Sequence, residues 1–469
     1  MKTISISIIG YDLNSYFISL YLLNNLKNIQ INLIEIKSEN EYDISTRNIT
    51  ALVNACDIDS LDFIHKTNSI YKISNAIEHN NNIKQYNKHF VDGIEHSINK
   101  KDILDILENY YENSFDNNFE YIDRILYPII NLCDFNLFST TLGNYSIYKN
   151  SSYQLNTAKT KSYLKQKCAS FENFIHYSNY SKLNIQYNQS SSTEIESIMI
   201  DDKLILSELY IDTSSTDKVL SKKEQAFISL ENIINTNCYV NSKVKYNNER
   251  KEILPYTKII GIDDGWIQNI PTFFYNNINF SYNKNYSTND YFNYLKSYQI
   301  IDQQTFYYKA GYYENSWNGN VIKIGNSLYK LDPIYDDPFL VTEHLLNKLK
   351  SILINNSTPT ELDSIEFNKL YQKIIRKKIY QSIKKYYHIY KRNDCAFWKT
   401  FVSKNHFDEF ESYYNEFETH NLDKKTEHYL NNISNIFYIF NNHTKKIEKY
   451  TSKYINYHQW LKNYIFEKE

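Results

Sequence analysis

The residues closest to a recognisable chemistry are Gly10-Tyr11-Asp12-Leu13-Asn14-Ser15, directly after the β-rich run of residues 3–9. A glycine at a strand-to-helix turn lets backbone N–H groups approach a pyrophosphate, and G-x-G-x-x-G is the usual form of that cradle. Only Gly10 is kept here; Asp12 and Ser15 stand at the other glycine positions. Glu35 follows about 25 positions later, where a dinucleotide fold holds a ribose hydroxyl. Metal chemistry has no comparable basis. Cys56, Cys133, Cys168, Cys238 and Cys395 form no C-x-x-C pair, and the 12 histidines include no H-E-x-x-H, so no metal site is expected.

The elements that must position these residues read as a βαβ unit. Residues 3–9 predict a strand, Gly10 to about Leu26 a helix, and Ile31–Ile36 a second strand. Asn156–Phe174 has helical spacing, and Glu194–Asp212 alternates as two strands about an Asp201-Asp202 turn. The Asn-rich stretches near 80–88 and 274–287 read as solvated loops. Lysine- and tyrosine-rich segments from Val341 onward have helical spacing.

With 469 residues, 42% of them hydrophobic, the chain can bury a large core. A net charge of -2 gives no basic field for nucleic acid. Ile4–Leu23 is broken by Asp12, Asn14 and Ser15, which argues against a signal or membrane segment, and widely spaced cysteines suit a reducing cytoplasm. The expectation is a cytoplasmic protein with neither nucleic-acid nor membrane partners.

Five further segments carry a resemblance. Tyr42–Leu52 keeps Ile49 and Leu52 of a GEATIP-like stretch, and Thr67–Lys72 keeps Asn68, Tyr71 and Lys72. GWIQNIP at Gly265–Pro271 matches G-W-x-W-x-I-P at Gly265, Trp266, Ile270 and Pro271, with Gln268 at the second tryptophan. Gly311–Phe339 keeps Gly311, Trp317, Asn320, Gly325 and Pro333, and Tyr386–Trp398 keeps Tyr387, Arg392, Asp394, Phe397 and Trp398. In this order and spacing the chain resembles the flavin-dependent tryptophan halogenases.

The resemblance implies an α/β fold: an FAD-binding Rossmann-like parallel-sheet domain over 1–345, with substrate-side insertions at about 81–150 and 221–300 that add an antiparallel sheet, and a helical C-terminal unit over 346–469. It implies FAD, with Gly10, Asp12, Ser15, Glu35, Ile49, Gly325 and Pro333 at cofactor-binding positions. In the family, reduced flavin and oxygen convert halide to hypohalous acid, which reaches a lysine beside an aromatic substrate; Lys72 matches that lysine. Tyr335 stands at the catalytic glutamate, and Asp336, Asp337 and Pro338 stand in the S-T-G run whose backbone holds halide. Trp266 and Gln268 belong to the same substrate and halide region. A phenol supplies no carboxylate charge, proline has no N–H, and Asp337 would oppose an anion. Asp12, and Asp43 and Ser45 at other glycine positions near the flavin, add charge and bulk against FAD.

Three readings follow, one of them a different ligand in the old cleft, for which an aromatic fraction of 16% would supply stacking surfaces. Another is a divergent member, impaired or inactive, in which FAD binding is weak or lost. The alternative is an active FAD-dependent halogenase or monooxygenase on an indole or other aromatic, using Lys72 and a partner flavin reductase. A homo-oligomer is compatible with all three.

Overall fold

The computed structural model describes residues 3–36, 43–46, 49–79, 87–90, 133, 136–138, 141–142, 145–146, 151–188, 194–214, 220, 226–286, 288–333, 338–355, 359–389, 396–402 and 455–466. Strand β1 (Ile4–Ile9) leads into helix α1 (Leu13–Asn25) and then strand β2 (Ile29–Ile34), so the predicted βαβ unit is present. Both strands are buried on nearly every residue, as expected for the interior of a parallel sheet covered on two faces. The sheet runs in the order Phe174–Tyr177, β2, β1, Leu209–Asp212, Val321–Lys323, Trp317–Asn318; the first five strands are parallel and the last is antiparallel.

Helix α1 is buried from Leu13 to Leu23 because it is covered on more than one side. Helix Thr157–Ala169 packs against it, and so does Pro338–Asn355. Thr342 Oγ1 donates to Asn14 Oδ1 at 3.1 Å and Tyr21 OH to Asn347 Oδ1 at 2.6 Å, which ties the chain's later helix to its first.

A three-stranded sheet lies beside this unit, with β3 (Ile44–Ser45) and β4 (Ile70–Lys72) flanking β5 (Ser152–Leu155). Register places Ser45 and Ile70 opposite Gln154, Tyr71 opposite Tyr153, and Lys72 opposite Ser152. Alternation then sends Tyr153 and Tyr71 into an aromatic core, where their rings lie 5.6 Å apart and Tyr153 meets Phe63 edge-on at 5.4 Å. Ser152, Gln154, Ser45 and Lys72 take the other face.

That face looks onto a seven-stranded sheet ordered Ile300–Tyr307, β6 (Cys238–Val244), β9 (Asn276–Tyr282), β8 (Gly265–Pro271), β7 (Tyr256–Ile262), Ser74–His79, Asn87–Phe90. Neighbours are antiparallel except β7 and Ser74–His79. The fold is therefore α/β with a parallel Rossmann-like sheet and an antiparallel sheet. Described helices Pro338–Asn355, Glu361–Ile389 and Ala396–Val402 follow. Among the described residues no helix is long and apolar enough to cross a membrane.

Four local expectations change. The stretch 274–287 is no solvated loop, because it contains β9, buried from Asn276 to Ser281 at the centre of the large sheet. Its asparagines are tolerated there through amide pairing: Asn241 Nδ2 donates to Asn279 Oδ1 at 2.6 Å, and Asn277 Nδ2 to Asp43 Oδ2 at 3.0 Å. In the stretch 80–88, Asn87 and Lys88 belong to a strand, and the rest lies outside the described residues. Helix Thr157–Ala169 stops short of Phe174, which opens a strand of the parallel sheet. Around Asp201, left-handed at φ 50°, Ile195–Ile200 and Lys203–Ile205 pair as a hairpin, while Leu209–Asp212 separates to join β1.

Candidate functional site: the α1 entrance and the interface between two sheets

Gly10 ends β1 in close contact with the chain itself. A Cβ there would lie 2.0 Å from Thr213 Oγ1 and 2.7 Å from Ser15 Oγ, so no larger residue fits without a shift. Asp12 caps α1. Its carboxylate accepts from Ser15 N at 3.0 Å, Ser15 Oγ at 2.9 Å, Asn14 Nδ2 at 3.3 Å and Asn326 Nδ2 at 3.2 Å. Burial pushes the Asp12 carboxyl above the usual carboxylate range, opposed by the hydrogen bonds from Ser15 and Asn14. Gly325, left-handed at φ 72°, opens the turn that delivers Asn326, and a Cβ on it would lie 2.8 Å from Asn14 Nδ2. Gly10, Asp12, Ser15 and Gly325 thus converge on one helix N-terminus. Asp212, at the end of the adjacent strand, accepts from Ser214 N at 2.9 Å; burial first, with Asp12 adding to it, pushes its carboxyl up to about 6.

At the far side Glu35 follows β2. Tyr16 OH donates to it at 2.9 Å, Lys165 Nζ lies 3.6 Å away, and His176 Nε2 approaches to 3.0 Å without hydrogen-bond alignment. Burial holds the His176 ring below its ordinary pKa, against the pull of Glu35. Between the two acids, Lys161 is buried with Nζ 3.3 Å from the Tyr11 ring centroid. Burial lowers its ammonium to about 8, opposed by Glu35 and then Asp12.

Lys72 is buried on β4, and its Nζ donates to Thr46 O at 2.7 Å. Across from it, Ser45 Oγ and Thr257 Oγ1 are 2.6 Å apart, which links the small sheet to β7. Asp43 accepts from Thr157 N at 2.8 Å, Tyr275 OH at 2.8 Å and Asn277 Nδ2. Gln268 on β8 is opposite Asn279, and Trp266 is opposite Ser281. Trp266 meets Trp398 edge-on at 4.5 Å, while Trp398 Nε1 donates to Ile262 O at 2.8 Å. Trp266 and Gln268 thus share one face of β8, and Lys72 lies on the face of the small sheet that Ser45 links to β7.

Ile49 sits in the apolar core, 1% exposed, where it offers only packing. Pro333 is partly buried after Asp332, whose carboxylate accepts from Thr236 Oγ1 at 2.6 Å and Ser281 Oγ at 2.8 Å. Pro338 begins its helix, and Tyr335, Asp336 and Asp337 lie outside the described residues. Among the described residues no cluster of three or more His, Cys, Asp or Glu could hold a metal.

The tryptophan halogenase family model matches residues 5–452. The chain belongs to the tryptophan halogenase family. Solved structures agree on the fold: VirX1 in its apo form is 17% identical with a TM-score of 0.81, over 99% of this chain and 100% of that one. A tryptophan halogenase from Shewanella frigidimarina NCIMB 400 is 16% identical, TM-score 0.79, covering 99% and 98%. Xcc4156, a flavin-dependent halogenase from Xanthomonas campestris, is 13% identical, TM-score 0.78, covering 99% of each chain. No curated protein matches.

Sequence reasoning missed Lys161, Asn277, Asn279 and Gln154. A lysine at one helical position carries no signal of its own. Asn277 and Asn279 had one: with Ile278 and Phe280 between and Ser281 after, the segment alternates with the period of a strand.

Proposed function

We propose that this tryptophan halogenase-family protein is a divergent member in which FAD binding is weakened and chloride-dependent halogenation is impaired. The observation that carries the reading is the Asp12 carboxylate, which gathers four donors at and beside the N-terminus of α1. Family membership implies FAD, and a pyrophosphate would need the Ser15 N–H and the space that Asp12 fills. The residues present do not fit it. Two like charges about 4 Å apart at an effective dielectric of about 20 repel by about 4 kcal/mol, roughly three powers of ten in affinity. Glu35 Oε1 already accepts from Tyr16 OH, so a ribose hydroxyl would share that carboxylate. The substitutions Tyr335, Asp336, Asp337 and Pro338 support the same reading from the sequence.

Burial of Lys72, with its amine held at Thr46 O, favours the second reading, an enzyme still acting on an aromatic substrate with flavin supplied reduced by a partner reductase. Mass spectrometry of an aromatic substrate panel with reduced flavin, oxygen and chloride or bromide separates the two. The expected outcome is no halogenated product. Product from the wild type that disappears in Lys72→Ala would establish the active enzyme.

A further inference from the structure

The seven-stranded sheet ends on a strand that the chain leaves open. Ile300–Tyr307 is eight residues long, and among the described residues it pairs on one side only, with β6. Every residue of it is exposed except the half-buried Phe306; Ile300, Ile301 and Tyr307 are 45%, 52% and 69% exposed. Edge strands are ordinarily blunted by lysine, proline, shortness or a covering element. This one carries no lysine or proline, and its single charge, Asp302, stands opposite Lys243 within the sheet. A bulge shifts the register beside Ile301, so the regular part runs from Asp302 to Tyr307.

The backbone direction along that part is fixed at both ends. Tyr308 N donates to Asn237 O at 3.0 Å and Lys245 N to Gln299 O at 2.9 Å. Residues of an antiparallel strand turn their N–H and C=O alternately to one side and the other. With Gln304 opposite Asn241, the residues Asp302, Gln304 and Phe306 turn theirs to β6, and Gln303, Thr305 and Tyr307 turn theirs to the open edge.

We propose that this edge pairs antiparallel with the same strand of a second copy of the chain, about a two-fold axis beside Thr305. Such an axis continues each face of the sheet into the same face of the other copy, so one residue must stand opposite itself. With Thr305 there, Gln303 stands opposite Tyr307 of the second copy, and every outward group of Gln303, Thr305 and Tyr307 meets a partner. Centring the pair on Gln304 would instead set Tyr307 against the bulged Ile301. The strand suits its own copy. Thr305 meets threonine, a favourable cross-strand pair, and the exposed Tyr307 ring covers Gln303. The two Asp302 carboxylates fall about 20 Å apart at about 3.4 Å per residue, well beyond the screening length of about 8 Å, so no charge opposes its like.

The test follows the mass of the full-length protein by sedimentation from about 1 to about 100 micromolar. The wild type is expected to pass from monomer to dimer in that range, as a small interface allows. Because Thr305 faces itself, Thr305→Glu and Thr305→Lys should each keep the chain monomeric by setting like charges opposite each other, and their equimolar mixture should restore the dimer. Thr305→Pro removes only an outward N–H and should weaken the dimer by at least about tenfold. Thr305 is exposed, and the wild-type mass stands whichever variant folds. A wild type whose mass settles on an odd multiple of the chain mass would overturn the proposal; if it stays monomeric throughout, the edge is left to a strand of another protein. A dimer indifferent to all three substitutions, or a mixture of the Glu and Lys variants that remains monomeric, would overturn it equally.

Discussion

The two polar regions of this molecule have opposite bookkeeping. At the α1 entrance the chain's own Asp12 accepts from one backbone N–H of the helix N-terminus, that of Ser15, and from three side-chain donors, so this polar site is answered from within. At the sheet interface Gln154, Asn277 and Asn279 bury polar atoms that the chain does not answer. A site satisfied internally resists a ligand, because binding must first break what exists. One left unsatisfied is a cost that the fold bears until ordered water or another polar group meets it.

The largest expected effect breaks the first half of that contrast. Asp12→Gly removes the charge and bulk and should tighten FAD by roughly a thousandfold over the wild type, read as the ratio of two titrations. The fold should survive, since glycine in place of a capping aspartate costs only a few tenths of a kcal/mol.

Next comes Gly10→Ala. With its Cβ 2.0 Å from Thr213 Oγ1, it should destabilise the fold by about 1–3 kcal/mol in urea unfolding. Adding Thr213→Ala should recover part of the loss. Full stability in the single variant would show that the entrance is looser than its contacts indicate.

Asp212 gives the entrance a pH signature. Its carboxyl titrates near 6 in the folded chain against 3.8 ordinarily, so between about pH 4 and 6 the folded state holds a proton that the unfolded state has shed. Its contribution to stability therefore falls as pH rises through that window, by up to about 1.4 kcal/mol per pH unit. Asp212→Asn should remove this slope, measured as urea midpoints at pH 4.5 and 7. An unchanged difference would assign the pH dependence elsewhere.

The smallest effect concerns the unanswered amides. Gln154→Leu deletes two unbonded polar atoms from a buried site and should stabilise the unliganded protein by about 1 kcal/mol, with a rise in Tm. Asn241→Ala should do the reverse, because it strands Asn279 Oδ1, at about 1–3 kcal/mol. Destabilisation by Gln154→Leu would mean that the amide is already satisfied.

The sequence made the βαβ unit legible because apolar periodicity and Gly10 report directly on a buried strand feeding a helix. It made the family legible through Gly265, Trp266, Trp317 and Trp398, whose packing demands leave few substitutes: Trp266 and Trp398 lock together, and Trp317 meets Phe367 edge-on at 5.2 Å. β9 was hidden because an asparagine-rich stretch reads as a solvated loop, whereas its burial depends on partners at Asp43 and Asn241 that lie far away in sequence. The candidate site was half legible. Asp12 was readable as an obstacle by its charge, but its partner Asn326 lies 314 residues away along the chain, and only the folded chain shows that this donor is taken. Lys161 and Gln154 were silent, since burial and orientation, not residue type, make them notable.

The central proposal is that Asp12 weakens FAD binding by the wild-type chain. Titrating FAD into micromolar wild-type protein, followed by flavin absorbance retained after ultrafiltration, tests it most directly. The account predicts that the flavin passes into the filtrate and no stoichiometric endpoint appears; one tightly retained equivalent of FAD per chain would contradict it.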